Sequence, residues 1–257
     1  MLNYRNTVIL FILVFMVLVL TGFFRPVSYW WYIGTVLILI TLLGLGSACI
    51  RMGFYLSSLS SGDTDKKVVA FTFDDGPDQV NTPVLLDLLA EHGVQAAFFL
   101  IGRKVDENRN LVRRMVEEGH VIGGHSYSHH FFFDLLPSAQ IENELKKTMD
   151  IIEQTTGKKT GMFRPPYGVT NPAVARSVRR LGFHSIGWSL KSKDTGITDA
   201  NSLLNRLKKR VKPGDVILFH DTKPVILKVL PEFIAYLKNE KFQIVRADLL
   251  LNFEAYG

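Results

Sequence analysis

The sequence predicts an α/β protein, a distorted or incomplete (β/α)7 barrel preceded by a two-helix transmembrane hairpin. Two observations indicate this architecture. Two long uncharged apolar runs occupy the N-terminal fifth of the chain, and apolar β-rich runs then alternate with helix-forming stretches as far as the C-terminus. Strands that alternate with helices are typical of a parallel sheet. An open doubly wound sheet is the alternative, although no glycine-rich phosphate loop follows the first strand to support its usual nucleotide interpretation.

The N-terminal segment, residues 1–52, is predicted to form the membrane hairpin. Residues 6–24 and 28–50 carry no charge, and each run exceeds or approaches the about 20 apolar residues that a spanning helix needs. Arg25 lies between the two runs, and the aromatic residues at 29–32 are typical of a membrane interface. A cleaved signal peptide is the alternative for the first run, but no clear small-x-small cleavage site follows it.

A polar linker, residues 53–65, is predicted to join the hairpin to an α/β domain over residues 66–257. Seven strands are predicted in this domain because short apolar, β-rich runs recur between helix-forming segments. These strands are predicted at residues 68–73, 96–102, 121–125, 162–166, 184–190, 215–220 and 242–247.

Helices are predicted to connect these strands. Asn81 and Asn171 each supply a capping residue with a proline in the first helical turn, and Ser138 starts a third helix. Four helices are predicted to end at glycines, at positions 93, 119, 157 and 182. Two more helices are predicted at residues 199–211 and 224–239.

The composition limits the classes of partner. The chain has 257 residues, with 30 Lys and Arg against 24 Asp and Glu and a formal net charge of +6. This mild basic balance fits an anionic membrane or wall polymer, and no stripe of Arg interleaved with aromatic residues indicates nucleic acid. The single cysteine, Cys49, lies in an apolar run, so we expect neither a disulfide framework nor a cysteine metal site.

Polar residues that could carry chemistry follow the predicted strands. Because catalytic residues of β/α barrels lie at the C-terminal ends of strands, we expect these side chains to meet at one rim. They are Asp74 and Asp75 after the first strand, His125 and His129 after the third, Arg164 after the fourth, Asp194 after the fifth, and His220 and Asp221 after the sixth.

The spacing of His125 and His129 predicts a metal site. On a helical turn, residues four apart place both imidazoles on one side. A carboxylate from another strand then completes a two-histidine, one-carboxylate set with open positions, as catalytic zinc or a related divalent ion requires. One carboxylate of the Asp74–Asp75 pair would bind the metal, and the other would act as base on the bound water. Alone, the His125–His129 spacing is better explained by two unrelated polar residues, and the Asp74–Asp75 pair by a turn. The occurrence of both at the same rim favours the metal site.

Three other rim residues fit the same hydrolysis. Arg164 beside a carboxylate would keep it ionised. His220, away from the metal, could protonate a leaving nitrogen, and Asp194 could orient His220. The alternative for His220 is an ordinary core or surface histidine, and the alternative for Asp194 is a loop aspartate before a turn.

These motifs together resemble the polysaccharide deacetylase family, carbohydrate esterase family 4, with its nodulation-factor deacetylase-like domain. The resemblance covers about residues 65–255, and the motifs occur in the family's order. The matching stretches are TFDDGP at 72–77, HSYSH at 125–129, RPPY at 164–167 and LFH at 218–220. The fourth motif departs from the family pattern D-S/T-x-D-W, since Lys191 replaces its first aspartate and Thr195 its tryptophan.

The resemblance implies a role for each matching residue and a divalent metal ion, with zinc as the first choice. Its implied assignments are Asp74 as base, Asp75, His125 and His129 as metal ligands, Arg164 as the partner of Asp74, the Tyr167 amide as an oxyanion donor, His220 as acid with Asp194 as its partner, and Leu218 as the wall of the acetyl pocket. His92, His120, His130 and His184 match no motif and are predicted to be structural.

The predicted function is a membrane-anchored, metal-dependent deacetylase that hydrolyses the acetamide of N-acetylated sugars, in an N-acetylglucosamine-type glycan such as peptidoglycan. The alternatives are a deacylase of a lipid-linked sugar at the membrane, an O-acetyl esterase, and an inactive glycan-binding protein on the same fold. The predicted partners are the N-acetylated glycan or lipid-linked sugar and the lipid bilayer, without nucleic acid.

The side of the membrane on which the domain lies follows from two arguments that disagree. Two spans place the N-terminus and residue 51 onward on the same side, together with Arg5 and Arg51, and leave Arg25 on the other side. The positive-inside rule therefore leans towards a cytoplasmic domain. The family's wall-glycan substrates favour an extracytoplasmic domain, and this is the location that we predict.

Overall fold

The computed structural model of the protein describes residues 3–257, so Met1 and Leu2 of the predicted hairpin lie outside the described residues. The helices described are α1 Tyr4–Phe24, α2 Tyr29–Ala48, α3 Asn81–Glu91, α4 Gly102–Glu107, α5 Arg109–Glu117, α6 Ser138–Thr156, α7 Pro172–Arg180, α8 Ala200–Arg210, α9 Pro224–Asn239 and α10 Ala247–Leu251. The strands described are β1 Ser58–Leu59, β2 Val68–Asp74, β3 Ala97–Leu100, β4 Val121–Gly124, β5 Met162–Phe163, β6 His184–Ile186, β7 Leu190–Lys191, β8 Val216–His220 and β9 Gln243–Val245.

These strands form one sheet that curls into an incomplete barrel. The order is β1-β6-β5-β4-β3-β2-β8-β7, with β9 paired to the first half of β2, and each pairing between these strands is parallel. β6 and β7 lie near opposite edges of the sheet, yet only residues 187–189 separate them along the chain. The two edges therefore approach each other, although no strand pairing among the described residues closes the ring. The predicted incomplete barrel is confirmed.

Strand β2 separates the two cores of the domain. Phe71 and Phe73 point outward into the large apolar cluster formed with the surrounding helices. Ala70 belongs instead to the small apolar cluster that fills the barrel. Because side chains alternate along a strand, Thr72 and Asp74 share the interior face with Ala70. The strand thus delivers Asp74 to the C-terminal end of the barrel interior.

Helices α1 and α2 correspond to the predicted spans. They contain 21 and 20 residues with mean hydropathies of 2.9 and 1.8, and the rest of the protein covers only 6% of each apolar window. Their length and composition allow each helix to cross a membrane. A signal sequence, the alternative considered for the first run, meets the same criterion.

The segment predicted as a linker, residues 53–65, is folded against the domain. Phe54 and Leu56 are buried, and β1 within the segment pairs in parallel with β6. Phe54 also packs directly on Gly46 of α2. The apolar residues ahead of the serines fix this segment in place.

Two predicted elements are divided. The strand predicted at 184–190 becomes β6 and β7, because the chain bends where the Gly187 carbonyl accepts a hydrogen bond of 2.8 Å from Arg164 Nη2. The helix predicted to end at Gly119 becomes α4 and α5. The interruption is Asn108, whose φ of −135° and ψ of 40° are not helical and whose side-chain amide donates to the Lys104 carbonyl at 2.9 Å.

Candidate active site

Asp74 and Asp75 are neighbours in sequence but point in different directions. Asp74 ends β2 and is buried at the top of the barrel interior. Asp75 has a φ of 73°, in the left-handed region, and its side chain reaches the pocket at the rim. Lys104 Nζ on α4 donates a hydrogen bond of 2.7 Å to the Asp75 carbonyl and holds this turn. The two carboxylates therefore differ in burial and backbone conformation, although both line the same pocket.

Arg164 follows β5, crosses the barrel interior to β2 and is completely buried. Its Nη1 donates to Asp74 Oδ1 at 2.6 Å and to Thr72 Oγ1 at 2.9 Å. Its Nε and Nη2 donate to the carbonyls of Ile186 and Gly187 at 3.0 and 2.8 Å. Burial lowers the pKa of Arg164, and the charge and hydrogen bond of Asp74 oppose that shift. Arg164 thus contacts Asp74, as predicted, and also links β2 to the end of β6 through the barrel interior.

The structure defines which nitrogen of His125 faces the pocket. Its Nδ1 lies 2.7 Å from the carbonyl oxygen of Arg164. A carbonyl can only accept a hydrogen bond, so Nδ1 carries the proton and the lone pair is on Nε2. Nε2 lies 3.6 Å from Asp75 Oδ1 and 4.0 Å from Asp74 Oδ2. This tautomer is the one that a metal-binding imidazole needs on the side of the carboxylates.

The segment that carries His125 and His129 is a loop, which corrects the helical turn assumed from their spacing. Ser126 and His129 have φ values of 62° and 51°, outside the helical region. Glu144 on α6 holds the loop, since its Oε2 accepts hydrogen bonds from the Tyr127 amide at 3.0 Å and the Ser128 amide at 2.8 Å. The two imidazoles still meet, with ring centroids 5.0 Å apart, because of this tertiary contact and not because of helical spacing.

Asp75, His125 and His129 fit the requirements of a metal site. One donor atom from each lies within 4.8 Å of the other two. Asp75 Oδ1 is 3.3 Å from His129 Nε2 and 3.6 Å from His125 Nε2. Tetrahedral ligands at ordinary zinc distances lie about 3.4 Å from one another, so these separations match without rearrangement. Three protein ligands leave a position open for water or substrate, as in catalytic zinc sites.

The electrostatics of Asp75 and His129 agree with that interpretation. Burial raises the pKa of Asp75, but the charges of His125, His129, His220 and Lys104 outweigh burial and lower it overall. Burial and the neighbouring His125 lower the pKa of His129, against the opposing charge of Asp75. A lowered pKa leaves the carboxylate ionised and the imidazole neutral, and these are the forms that bind a cation.

His220 and Asp194 form a buried pair on the other side of the pocket. His220 Nδ1 donates to Asp194 Oδ1 at 2.8 Å, and the His220 amide donates to Asp194 Oδ2 at 2.7 Å. Burial lowers the pKa of His220, but the hydrogen bond and charge of Asp194 outweigh burial and raise it above the ordinary 6.5. The residues pair as predicted, and Nε2 of His220 is the nitrogen left for the pocket.

The pocket joins these residues to the two remaining predicted site positions. Leu218 on β8 lines its wall, and Tyr167, with a left-handed φ of 60°, stands at its rim. Whether the Tyr167 amide is an oxyanion donor stays a prediction. Trp188 also lines the pocket and packs against Gly168, where any side chain would overlap the indole. A tryptophan from the β6–β7 turn therefore stands in the wall, although Thr195 occupies the motif's tryptophan position.

Sequence reasoning missed several residues that support the site. Glu144 and Lys104 belong to no motif, and a single charged residue on an amphipathic helix gives no signal that it holds a loop. Asp221 was noted on the rim, but its contacts were not foreseen. It is buried and accepts a hydrogen bond of 2.6 Å from Thr82 Oγ1, and burial raises its pKa to about 7.

The histidines predicted to be structural lie away from the pocket lining. His120 is buried and its Nδ1 accepts a hydrogen bond of 3.0 Å from the Ala96 amide, while burial lowers its pKa to about 4. His92 bonds to the Leu88 carbonyl through its ring, and His184 packs against Phe253. His130 Nδ1 accepts from the Phe132 amide.

Comparison with known proteins places this architecture in a family. The polysaccharide deacetylase model matches residues 61–186. A peptidoglycan-N-acetylglucosamine deacetylase of Bacillus cereus is 33% identical over 199 residues, which cover 74% of this chain and 91% of the relative. The peptidoglycan-N-acetylmuramic acid deacetylase PdaA of Bacillus subtilis is 32% identical over 202 residues, which cover 77% of this chain and 74% of PdaA.

Comparison with solved structures indicates the same family. The crystal structure of the Bc1960 peptidoglycan N-acetylglucosamine deacetylase superimposes with a TM-score of 0.72 and 32% sequence identity, covering 76% of this chain and 93% of that structure. The chain belongs to the polysaccharide deacetylase family.

Proposed function

We propose that the protein is a membrane-anchored, metal-dependent deacetylase that hydrolyses the acetamide of an N-acetylated sugar in a cell-wall glycan. The observation that carries the proposal is the convergence of Asp75 Oδ1 on the Nε2 atoms of His125 and His129, at 3.6 and 3.3 Å. Asp74 lies beside this set with one oxygen free of Arg164. A metal set with an adjacent carboxylate suits hydrolysis of an unreactive amide.

Asp75, His125 and His129 would hold the divalent ion, and this donor set suits zinc. When bound, the ion would supply a Lewis acid that lowers the pKa of a water and polarises a carbonyl oxygen. Asp74 acts as the base: Arg164 fixes its Oδ1 at 2.6 Å, and its Oδ2 faces the ligand cluster, 4.0 Å from His125 Nε2. Asp74 Oδ2 takes a proton from water as the water oxygen bonds to the acetamide carbon.

His220 completes the reaction as the acid. Its raised pKa keeps it protonated over more of the neutral range, and Asp194 fixes its ring through Nδ1. Proton transfer from Nε2 to the sugar nitrogen accompanies cleavage of the C–N bond and releases acetate and a free amine. The Tyr167 amide would stabilise the oxyanion, and Leu218 would contact the acetyl methyl group.

The pocket wall supports a substrate with a negative charge near the reacting sugar. Among the described residues that line the pocket, Lys191 is the one Lys or Arg, and its Nζ lies 5.7 Å from the centre of the Trp188 ring. Two relatives are named for N-acetylglucosamine and N-acetylmuramic acid in peptidoglycan. Of these two sugars, muramic acid carries a carboxyl group, so Lys191 favours it or a phosphorylated sugar.

The proposal includes anchoring by α1 and α2 with the catalytic domain outside the cytoplasm. The length and apolar character of both helices support anchoring. The wall glycan acted on by the named relatives supports the external location. Protease added to intact cells should cut the domain from its anchor, whereas cleavage only after cell lysis would place the domain in the cytoplasm.

Acetate release tests the activity. The full chain in detergent micelles, stripped with chelator and reloaded with zinc, is incubated with N-acetylglucosamine oligomers and with peptidoglycan. We expect acetate only from the zinc-loaded protein and none from Asp74→Asn. Asp65→Asn, an exposed carboxylate before β2, is the matched control and should retain activity.

Other outcomes would assign the alternatives. Glycan binding without any acetate release, with or without metal, would identify a non-enzymatic glycan-binding protein. Release of acetate only from O-acetylated glycan would identify an esterase.

A deacylase of a lipid-linked sugar is the second candidate. It is favoured by the hydrogen bonds between the end of α2 and Thr170, three residues beyond Tyr167 at the pocket rim. Side-by-side rates on a lipid-linked acetamido sugar and on the polymer, at matched concentrations, would distinguish the two substrates.

A further inference from the structure

Three apolar side chains beside the pocket are exposed to a degree that the fold does not explain. Phe131, Phe132 and Leu135 are 68%, 53% and 70% exposed, and they follow the metal-site loop. The Phe131 ring packs against Phe132 at 4.8 Å and against Tyr167 at 5.8 Å. We refer to Phe131, Phe132 and Leu135 as the rim patch. Single exposed apolar residues are ordinary, but a group at the mouth of a pocket indicates a binding surface.

The rim patch is tied to the end of α2 by a short series of hydrogen bonds. Ser47 in the last turn of α2 donates through Oγ to the Thr170 carbonyl at 2.8 Å, and the Thr170 amide donates to the Ser47 carbonyl at 3.1 Å. The next residue, Asn171, donates through Nδ2 to the Asp134 carbonyl at 2.5 Å. Asp134 is the direct neighbour of Leu135. The patch and the end of α2 therefore lie side by side.

The length of α2 determines how deep its last turn would lie in a bilayer. Helix α2 has 20 residues, and at about 1.5 Å per residue it matches the about 30 Å hydrocarbon layer. Its last turn therefore lies where hydrocarbon gives way to headgroups, a layer several ångströms thick in which aromatic side chains are favoured. The side chains next to Ser47 on the domain face this layer.

We propose that the rim patch inserts into the interfacial layer of the lipid bilayer and holds the mouth of the active site against the membrane surface. The proposal rests on the anchoring by α1 and α2 proposed above. Because Tyr167 joins the patch to the pocket, the acetamide that enters the pocket belongs to a glycan lying at the lipid surface. Glycan strands far from the membrane are out of reach.

Lipid quenching tests the insertion in the full chain. In a Cys49→Ser background, which removes the single cysteine, Phe132→Cys is labelled with an environment-sensitive fluorophore. The matched control is Leu249→Cys, because Leu249 is 63% exposed and belongs to α10. This helix packs against Gly62, which is hydrogen-bonded to Gly214 near the start of β2, at the opposite end of the barrel.

The labelled proteins are reconstituted into phosphatidylglycerol and phosphatidylcholine vesicles with and without doxyl-labelled lipid. We expect doxyl lipid to quench the label at position 132 about threefold more than the label at 249, because quenching requires contact with the acyl region. Equal quenching at the two positions in a carbonate-resistant protein would overturn the rim proposal and leave the anchor intact.

Two other results would also count against it. Release of the chain from vesicles by carbonate would reject the anchoring itself. Concentration-dependent dimerisation that shields position 132 without doxyl quenching would assign the patch to a second copy of the chain.

An activity measurement gives an independent test. The double variant Phe132→Ser/Leu135→Ser should lose about tenfold of its rate on an acetylated glycan attached to vesicle lipid, because the pocket is no longer held at the surface. Its rate on soluble N-acetylglucosamine oligomers should remain within about twofold of the parent, since neither residue lines the pocket. An equal loss on both substrates would show that the patch acts on the pocket itself and would contradict the proposal.

Discussion

Arg164 connects the chemistry of the site to the integrity of the barrel. It is the largest side chain that is completely buried, and its guanidinium lies 4.0 Å from the centre of the Phe99 ring. Its donors reach Asp74 and Thr72 on β2 and the carbonyls of Ile186 and Gly187 at the end of β6. The single ammonium group of a lysine cannot reproduce the several donors of this planar guanidinium. One residue therefore orients Asp74, the proposed base, and links β6 to the interior.

Arg164→Lys should lower both stability and activity. We expect a loss of about 3 kcal/mol in the free energy of unfolding, because buried acceptors lose their donors. The rate of acetate release should fall about 100-fold, because Asp74 loses its fixed orientation. Chemical denaturation and initial rates on the full chain measure these effects.

Arg180→Lys is the matched control for that substitution. Arg180 forms a 3.2 Å ion pair with Glu142, but its side chain is exposed. Surface pairs contribute little, so we expect a change below about 0.5 kcal/mol. Similar losses in the two variants would contradict the role assigned to Arg164.

The pair His220–Asp194 predicts a pH dependence. Its hydrogen bond and charge raise the His220 pKa against the opposing effect of burial. Asp194→Asn removes the charge and leaves burial, so the pKa of His220 should fall. A general acid must be protonated, and the alkaline limb of kcat/KM should therefore move to lower pH in Asp194→Asn. A pH–rate profile of acetate release measures the shift, and an unmoved alkaline limb would reject His220 as the acid.

The His220–Asp194 pair also predicts how the stability of the protein changes with pH. Because the folded pKa of His220 lies above the ordinary 6.5, the contribution of the pair is fully present below about pH 6.5. It is lost as the pH rises through the folded pKa. Asp194→Asn should therefore cost more stability at pH 6 than at pH 9, as denaturation at the two pH values will measure.

At the scale of elements, the loop after β4 depends on a helix that no motif identifies. Glu144 on α6 accepts from two amides of this loop and from Ser128 Oγ at 3.0 Å. These bonds stabilise a backbone that places Ser126 and His129 in the left-handed region. The helix thus positions His129, a proposed metal ligand, through the loop backbone.

Glu144→Ala should weaken metal binding. Loss of residues that orient ligands typically costs 10- to 100-fold in affinity, and we expect about tenfold here because His125 keeps its own bond to Arg164. Zinc titration of chelator-treated full chain measures it. Glu142→Ala, on the same helix and paired only with Arg180, should leave zinc affinity unchanged. Equal zinc affinities in the two variants would show that the loop keeps its conformation without Glu144.

The divided strand shows what the sequence pattern could not reveal. Residues 184–190 read as one apolar β-rich run, and composition offers no reason for a break. The break arises because Arg164, from another strand, takes the carbonyls of Ile186 and Gly187 as acceptors. The strands on either side of the break have different partners, because β6 pairs with β5 and β7 pairs with β8. Tertiary hydrogen bonding thus overrode local preference, as it did in the loop of His125.

For the whole molecule, the barrel and its rim were predictable because they depend on periodic features. Apolar runs mark strands, parallel strands end at one rim, and each motif falls at a strand end. The sequence therefore predicts that Asp74 and His220 lie close together. In the structure they are register partners across β2 and β8. Contacts between distant polar atoms, such as Lys104 with the Asp75 carbonyl, have no periodic signal.

The docking of the hairpin on the domain was also outside the reach of sequence patterns. Apolar composition identifies α1 and α2 but does not say which face meets the domain. In the structure, Phe54 packs against α2 at Gly46 and near Tyr4 of α1, with ring centroids 6.4 Å apart. Tyr55 Oη also donates to the Leu43 carbonyl at 3.2 Å. The segment predicted to be a polar linker therefore packs directly between the two apolar helices and the domain.

Two glycines two positions apart on α2 give a matched test of this joint. A methyl group at Gly46 would overlap the Phe54 ring, whereas one at Gly44 would meet no atom within 4 Å. Alanine stabilises a helix relative to glycine by up to about 1 kcal/mol, so Gly44→Ala should be neutral or stabilising. Gly46→Ala should destabilise by about 1–3 kcal/mol, because the buried Phe54 has no room to move aside.

Thermal unfolding of both variants in detergent micelles measures the difference, and limited proteolysis at residues 53–65 locates it. We expect Gly46→Ala to unfold at lower temperature and to expose this segment to protease, while Gly44→Ala behaves as the parent. If the joint holds the rim against the membrane, Gly46→Ala should also lose activity on vesicle-bound glycan. Identical unfolding and proteolysis of the two variants would mean that anchor and domain are coupled only through the chain, and the pocket would then be free to turn away from the bilayer.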